Sequence, residues 1–213
     1  METLRILQAY EIGPKTGSYS AEGVGSIALE ISKRLARKGH EMWILTGAAP
    51  DAARVGDIEG VHVERVELAG MMRSTWSPTN LMFTRQSFFP LAALRDAGKF
   101  KGFDIYHGHI YSASIAALAL GRLWGGGVVT MIHGSYYPIW DEIAGGEMRA
   151  DALRLAERTL ATFLAQRGDA QIHTANYFAQ MVRSWGAPPN RLHIIKCGID
   201  VERFSPTARP TWR

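Results

Sequence analysis

Short β-type runs alternate with longer stretches of helical period along this chain, and that alternation restricts it to an α/β fold built on a parallel sheet. Leu4 to Tyr10 reads as a first strand, followed by a polar loop containing Gly13, Pro14 and Gly17. From Glu22 to Lys38 apolar residues recur at Val24, Ile27, Ala28, Ile31 and Leu35, a helical stripe closed by Gly39 at a C-cap position. Lys33, Arg34, Arg37 and Lys38 read as the solvated face of that helix. Met42 to Thr46 and Val61 to Leu68 follow as strands. Beyond an irregular stretch from Gly70 to Pro90 come a helix through Leu91 to Ala97 and a strand over Phe103 to His107. A helix over Ser112 to Trp124 and a strand over Val128 to Ile132 come next.

Glu147 to Gln166 has the period of a long amphipathic helix, with Leu153, Ala156, Leu160, Phe163 and Leu164 on one face. Gln171 to Thr174, a helix over Tyr177 to Trp185, and Leu192 to Lys196 complete a Rossmann-like, doubly wound parallel sheet of about seven strands. The connections are long enough for the helical crossovers that parallel pairing requires. Residues 1–204 read as one domain. Residues 205–213, with Pro206 and Pro210 and no apolar period, read as the start of a linker, so a further domain is expected after it.

At 213 residues the chain can bury a full core. A formal net charge of +4 suits a phosphate-bearing ligand, but no cluster of Lys and Arg accompanies it, which argues against nucleic acid. Cys197 is the only cysteine, so no internal disulfide can form and a cytoplasmic setting is expected. The first residues lack a signal-peptide pattern, and no apolar run reaches the length of a membrane span. The segment from Met71 to Phe89 mixes bulky apolar groups with Arg73 and Arg85. It suits either a peripheral contact with the inner face of a membrane and a lipid-linked acceptor, or burial against the sheet.

In an open parallel sheet, ligands bind beyond the carboxyl ends of the strands. Residues just after each strand are therefore the candidates. Gly23, Val24 and Gly25 open the first helix, where glycines let an anion approach exposed N–H groups; their other reading is close packing of helix on sheet. His107 and His109 share one face of an extended segment, without the cysteines or carboxylates that would make a metal site. One of the two is expected in the core and the other, His109, at the site. His133 and Gly134 follow the strand at Val128 and turn toward the cleft. Beyond them Tyr136, Tyr137, Trp140 and Asp141 either stack on and hydrogen-bond a sugar or fill an irregular loop. The spacing from Gly23 to Ala28 also satisfies G-x-G-x-x-A, but a dozen residues from Glu11 to Glu22 separate it from the strand, and Leu45-Thr46-Gly47 brings no acid for a ribose. A nicotinamide-binding oxidoreductase is the weaker reading.

Five segments in order resemble retaining glycosyltransferases of family 4, which have the GT-B fold. Gly23-Val24-Gly25 with Arg37-Lys38-Gly39-His40-Glu41 is similar to that family's glycine loop and "RGHEV" turn, and Asp104-Ile105-Tyr106-His107-Gly108-His109 to its "D-v-v-H-x-H" strand. Val129-Thr130-Met131-Ile132-His133-Gly134 is similar to "v-x-T-x-H-g", and Glu157-Arg158 with Asp169-Ala170-Gln171-Ile172 to "E-R … A-D-x-v-i". Gly198-Ile199-Asp200 with Phe204-Ser205-Pro206 is similar to "N-G-v-D … F-x-P". Glu22 stands where the family usually has a glycine, and Cys197 where it has asparagine.

The resemblance implies an N-terminal, acceptor-side domain whose C-terminal, donor-binding partner domain is absent. It implies transfer of a hexosyl unit from a nucleotide-sugar donor to a hydroxyl acceptor, with retention and without metal or other cofactor. His133 would be catalytic, Gly23 to Gly25 would meet the donor phosphate or acceptor, and His109, Gly134, Tyr136, Tyr137, Trp140 and Asp141 would serve the acceptor. The isolated chain is expected to be without turnover. The other open reading is a stand-alone acceptor-binding module that pairs with a separate donor-binding chain.

Overall fold

The computed structural model describes residues 2–12, 23–48, 53–68, 86–199 and 201. The loop carrying Gly13, Gly17 and Glu22, the stretch from Met71 to Arg85 and the expected linker lie outside the described residues.

The elements in chain order are β1 (Arg5–Ile12), α1 (Gly23–Arg37), β2 (Glu41–Gly47), β3 (Val55–Ile58), β4 (Val61–Val66), α2 (Gln86–Arg95), β5 (Ile105–His109) and α3 (Ile110–Trp124). They continue with β6 (Gly127–Ile132), a short α4 (Trp140–Ile143), α5 (Glu147–Arg167), β7 (Ala170–His173), α6 (Asn176–Ser184) and β8 (Leu192–Ile194). The sheet runs β3-β4-β2-β1-β5-β6-β7-β8. Every pair is parallel except β3 with β4. The doubly wound α/β architecture is therefore as expected, with one added strand at the edge. Glu59 and Gly60 carry the chain from β3 to β4 with φ of 52° and 81°. That is a tight two-residue hairpin turn in a chain otherwise read only for parallel crossovers.

Alternation along β1 sets the two layers. Leu7 and Ala9 pack with Phe89 and Ala93 of α2 and Ala113, Ala116 and Leu120 of α3. Ile6 and Tyr10 pack with Ala28 and Leu29 of α1 on the opposite face. Val128 and Ile132 of β6 meet Ala161 and Leu164 of α5 and Val182 of α6, on the α3 side. Each fully buried large apolar side chain contributes about 2 kcal/mol, so these clusters dominate the stability. Gly108 lets α3 lie directly on β5: a Cβ there would stand 2.3 Å from the Ser114 Cα.

Two expectations about surfaces are corrected. Lys33 is buried, with only 3% of its side chain exposed, and bonds Glu59 at 2.6 Å and Glu30 at 3.4 Å. Carboxylates from its own helix and from the β3–β4 turn compensate its desolvation. The buried stripe of α5 is Ala150, Leu153, Glu157, Ala161, Leu164 and Ala165, whereas Ala156 and Phe163 face outward. A carboxylate, Glu157, sits where an apolar period predicts a hydrocarbon. Among the described residues, no helix is long and apolar enough to cross a membrane.

Candidate functional site

The strand order reverses between β1 and β5, the position at which open α/β sheets form a crevice. Glu11 from β1, His109 from β5 and His133 after β6 converge there, and α1 begins at the same rim. No loop separates β5 from α3, so the chain turns within one residue. Ile110 makes that turn with φ of 63°, a left-handed conformation costing a β-branched residue roughly 1–2 kcal/mol. The strain sits between His109 and the first turn of α3. In that turn the Ser112 hydroxyl donates to the buried Glu11 carboxylate, which also faces the positive end of the helix.

Gln8, His107, His109 and His133 lie on the α1 side of the sheet, because they share the parity of Tyr10 and Ile105. His107 and His109 stack at 4.4 Å between ring centres, and His109 and His133 at 5.2 Å. His109 Nδ1 lies 2.9 Å from His133 Nε2, and His109 Nε2 lies 2.8 Å from Gln8 Oε1. The His133 carbonyl accepts from the Thr174 hydroxyl at 3.0 Å, which pins the backbone as it leaves β6.

Desolvation controls the charge of this group. Burial lowers His107 and His133 to about 4, with His133 also repelling a proton on His107. Burial, then repulsion from His107 and His133, holds His109 well below the ordinary range. All three imidazoles are neutral near neutral pH. His133 Nδ1 and His107 Nε2 are buried without a hydrogen-bond partner in the structure.

The turn after His133 is organised from below by Glu157. Its carboxylate accepts from the Tyr111 hydroxyl at 2.8 Å, the Trp140 indole N–H at 2.8 Å and the Tyr136 backbone N–H at 3.2 Å. Those donors come from α3, α4 and the turn itself, so one buried anion joins three parts of the chain. Burial and the adjacent Glu157 carboxylate both push the Tyr111 phenol upward, so it keeps its proton as donor.

The sequence-predicted residues divide accordingly. Gly23 is exposed, Val24 half-buried and Gly25 buried in the first turn of α1, which carries no acidic residue. A Cβ at Gly23 would meet nothing within 4 Å, so packing does not require glycine there. His133 is half-buried at the crevice, and Gly134 is exposed. Tyr136 is 51% exposed, and the Tyr137 ring packs at a tilt against Trp185, 4.7 Å between centroids. Asp141 is exposed and bonded by Arg154, which also holds Asp151 at 3.1 Å.

Two assignments to an acceptor surface are corrected. His109 is wholly buried, with both nitrogens engaged, and reaches the crevice only through His133. Trp140 is 1% exposed because its indole N–H is spent on Glu157 and its rings on Leu153 and Ala150. The sequence patterns assign no site role to Gln8, Glu11, Ile110 or Tyr111, and mark Glu157 only within the Glu157-Arg158 pair. A polar residue inside an apolar strand marks Gln8, whereas no period or spacing predicts the burial of Glu157. Among the described residues, no group of three His, Cys, Asp or Glu is placed to hold a metal ion. A cavity of about 370 Å³ lies between α1 and the segment after β8, lined by Ile27, Ile31, Met131, Ile195 and Ile199 with Glu30 and Arg34.

The sequence profile of glycosyltransferase family 4 matches residues 21–203. D-inositol 3-phosphate glycosyltransferases of Nocardioides and Thermomonospora curvata are each 27% identical, over 92% and 89% of this chain. The chain spans 43% and 44% of those two proteins. Sucrose-phosphate synthase of Thermosynechococcus elongatus superposes with a TM-score of 0.68 at 14% identity, over 93% of this chain and 49% of that one. The catalytic domain of starch synthase IV from Arabidopsis thaliana, bound to ADP and acarbose, gives 0.67 at 17% identity, over 98% and 54%. Anabaena HepE in complex with UDP-glucose gives 0.61 at 12%, over 93% and 45%.

Proposed function

This chain belongs to glycosyltransferase family 4, and from that premise we propose that it is the acceptor-side half of a retaining enzyme moving a hexosyl unit from a nucleotide sugar to a hydroxyl acceptor. The observation that carries the reading is that the first turn of α1 follows β1 and His133 follows β6, both at the carboxyl ends of strands beside the switch point. Support for a second, donor-holding lobe comes from the length of the relatives, of which this chain spans less than half.

In this reading the transferring sugar lies over His133 and Gly134, with the donor diphosphate toward the N-terminus of α1. Because burial holds His133 near 4, its imidazole meets the sugar as a neutral ring and does not protonate the leaving group at neutral pH. Charge developing on the departing diphosphate is stabilised instead by backbone N–H groups of the first turn of α1 and by cations of the second lobe. Tyr136, Tyr137 and Asp141 border the acceptor. No metal or cofactor takes part.

A donor screen on the longest natural form of the protein tests this. Transfer from a nucleotide sugar is expected, with His133→Ala reducing kcat by about 100-fold through lost positioning of the sugar, and residues 1–213 alone are expected to be inactive. Turnover by residues 1–213 alone would refute the two-lobe reading. Binding of nicotinamide cofactors but not nucleotide sugars in calorimetry would refute glycosyl transfer.

A further inference from the structure

The mechanism leaves two buried polar groups unused, Gln8 and His109, although they form a continuous chain with the residue at the crevice. Gln8 is 0% exposed, as is His109, and they sit 101 residues apart in sequence on the adjacent strands β1 and β5. Packing alone would favour hydrocarbon at both positions, because a buried polar group costs free energy unless its partner is kept. We propose that Gln8 and His109 are positioning residues that select which nitrogen of His133 carries its proton. The inference rests on the placement of His133 at the sugar.

Hydrogen-bond polarity fixes the tautomer. A neutral imidazole has one donor nitrogen and one acceptor nitrogen, so each bond in the chain sets the next. With the Gln8 carbonyl oxygen 2.8 Å from His109 Nε2, that nitrogen must donate. His109 Nδ1 is then bare and accepts across the 2.9 Å contact, so His133 Nε2 holds a proton. His133 Nδ1 is left as a lone pair, and it is the one nitrogen of that residue without a partner in the structure. Turning the Gln8 amide over would reverse every bond and leave His133 Nδ1 as a donor. Among the described residues the Gln8 side chain bonds only His109, with Nε2 unpartnered, so the polarity of the chain follows from the Gln8 oxygen facing His109. His107 is stacked against His109 at 4.4 Å, and its charged form would repel the pair. The relay therefore passes orientation between neutral rings and moves no net charge.

The test is histidine ¹⁵N NMR on the full chain near neutral pH, comparing the parent with Gln8→Leu and Gln8→Glu. In the parent, His109 and His133 are each expected as the single tautomer protonated on Nε2. Gln8→Leu should lose the single-tautomer signature at His133 while backbone shifts along β2 and β6 stay in place. Gln8→Glu, which can only accept, should keep the parental tautomer. A His133 signature identical in the parent and Gln8→Leu overturns the proposal, as does a parental His133 protonated on Nδ1. Because the readout needs no turnover, failure to find a sugar donor would count against the proposed function and leave this result standing.

Discussion

Acidification should destabilise this domain well before its carboxylates titrate, and His107 carries a calculable share of the loss. The unfolded imidazole has its ordinary value of 6.5, whereas burial lowers the folded one to about 4. Between these values the unfolded chain binds the proton and the folded chain does not, so stability is complete above the upper value and falls as pH drops toward the lower one. Each unit of separation is worth about 1.4 kcal/mol, so moving from about pH 7 to about pH 5 removes roughly 2 kcal/mol through this residue. His109 and His133 act in the same direction, because burial lowers both and repulsion from its neighbours lowers His109 further. The assay is urea unfolding of the parent and of His107→Leu at the two pH values. The parent midpoint should fall, and the variant should lose roughly 2 kcal/mol less than the parent. A parent midpoint independent of pH, or a variant with the full loss, would refute the desolvation argument.

Two further outcomes are expected. Glu157→Gln should cost about 2 kcal/mol, because the new amide N–H₂ confronts the Trp140 indole N–H that the carboxylate accepts at 2.8 Å. Adding Trp140→Phe should then cost less than it does in the parent, and strict additivity in denaturant melts would argue against the shared bond. Gly108→Ala should destabilise by about 3 kcal/mol or prevent folding, since its Cβ would meet the Ser114 Cα at 2.3 Å and the Ala113 carbonyl at 2.6 Å, both backbone. Unchanged thermal unfolding would show that α3 can shift off β5.

Much of the site was legible because strand ends announce themselves. His133-Gly134 after the strand-forming run Val128 to Ile132, and Gly23 to Gly25 before a helical stripe, needed only local pattern to be placed at the carboxyl rim. The sequence patterns assign no element to the antiparallel β3, because four residues are too short to show a period, although Glu59-Gly60 before the run from Val61 is a hairpin signal. Trp140 suits both a sugar platform and the filling of an irregular loop, because an aromatic beside a site has the same local signature whether it points out or in; its 1% exposure shows that it points in.

Sequence alone determined the alternation of strands and crossovers, the family and the rim at which the candidate residues gather, since each depends on periods and motifs shorter than one element. Only the tertiary structure decided which polar groups go inside. His109 is buried because Gln8 waits on another strand, Glu157 because Tyr111, Tyr136 and Trp140 converge on it, and Lys33 because Glu59 closes over it. The burial of a polar side chain depends on partners that meet it only after folding, and a linear pattern carries no record of distances across the sheet.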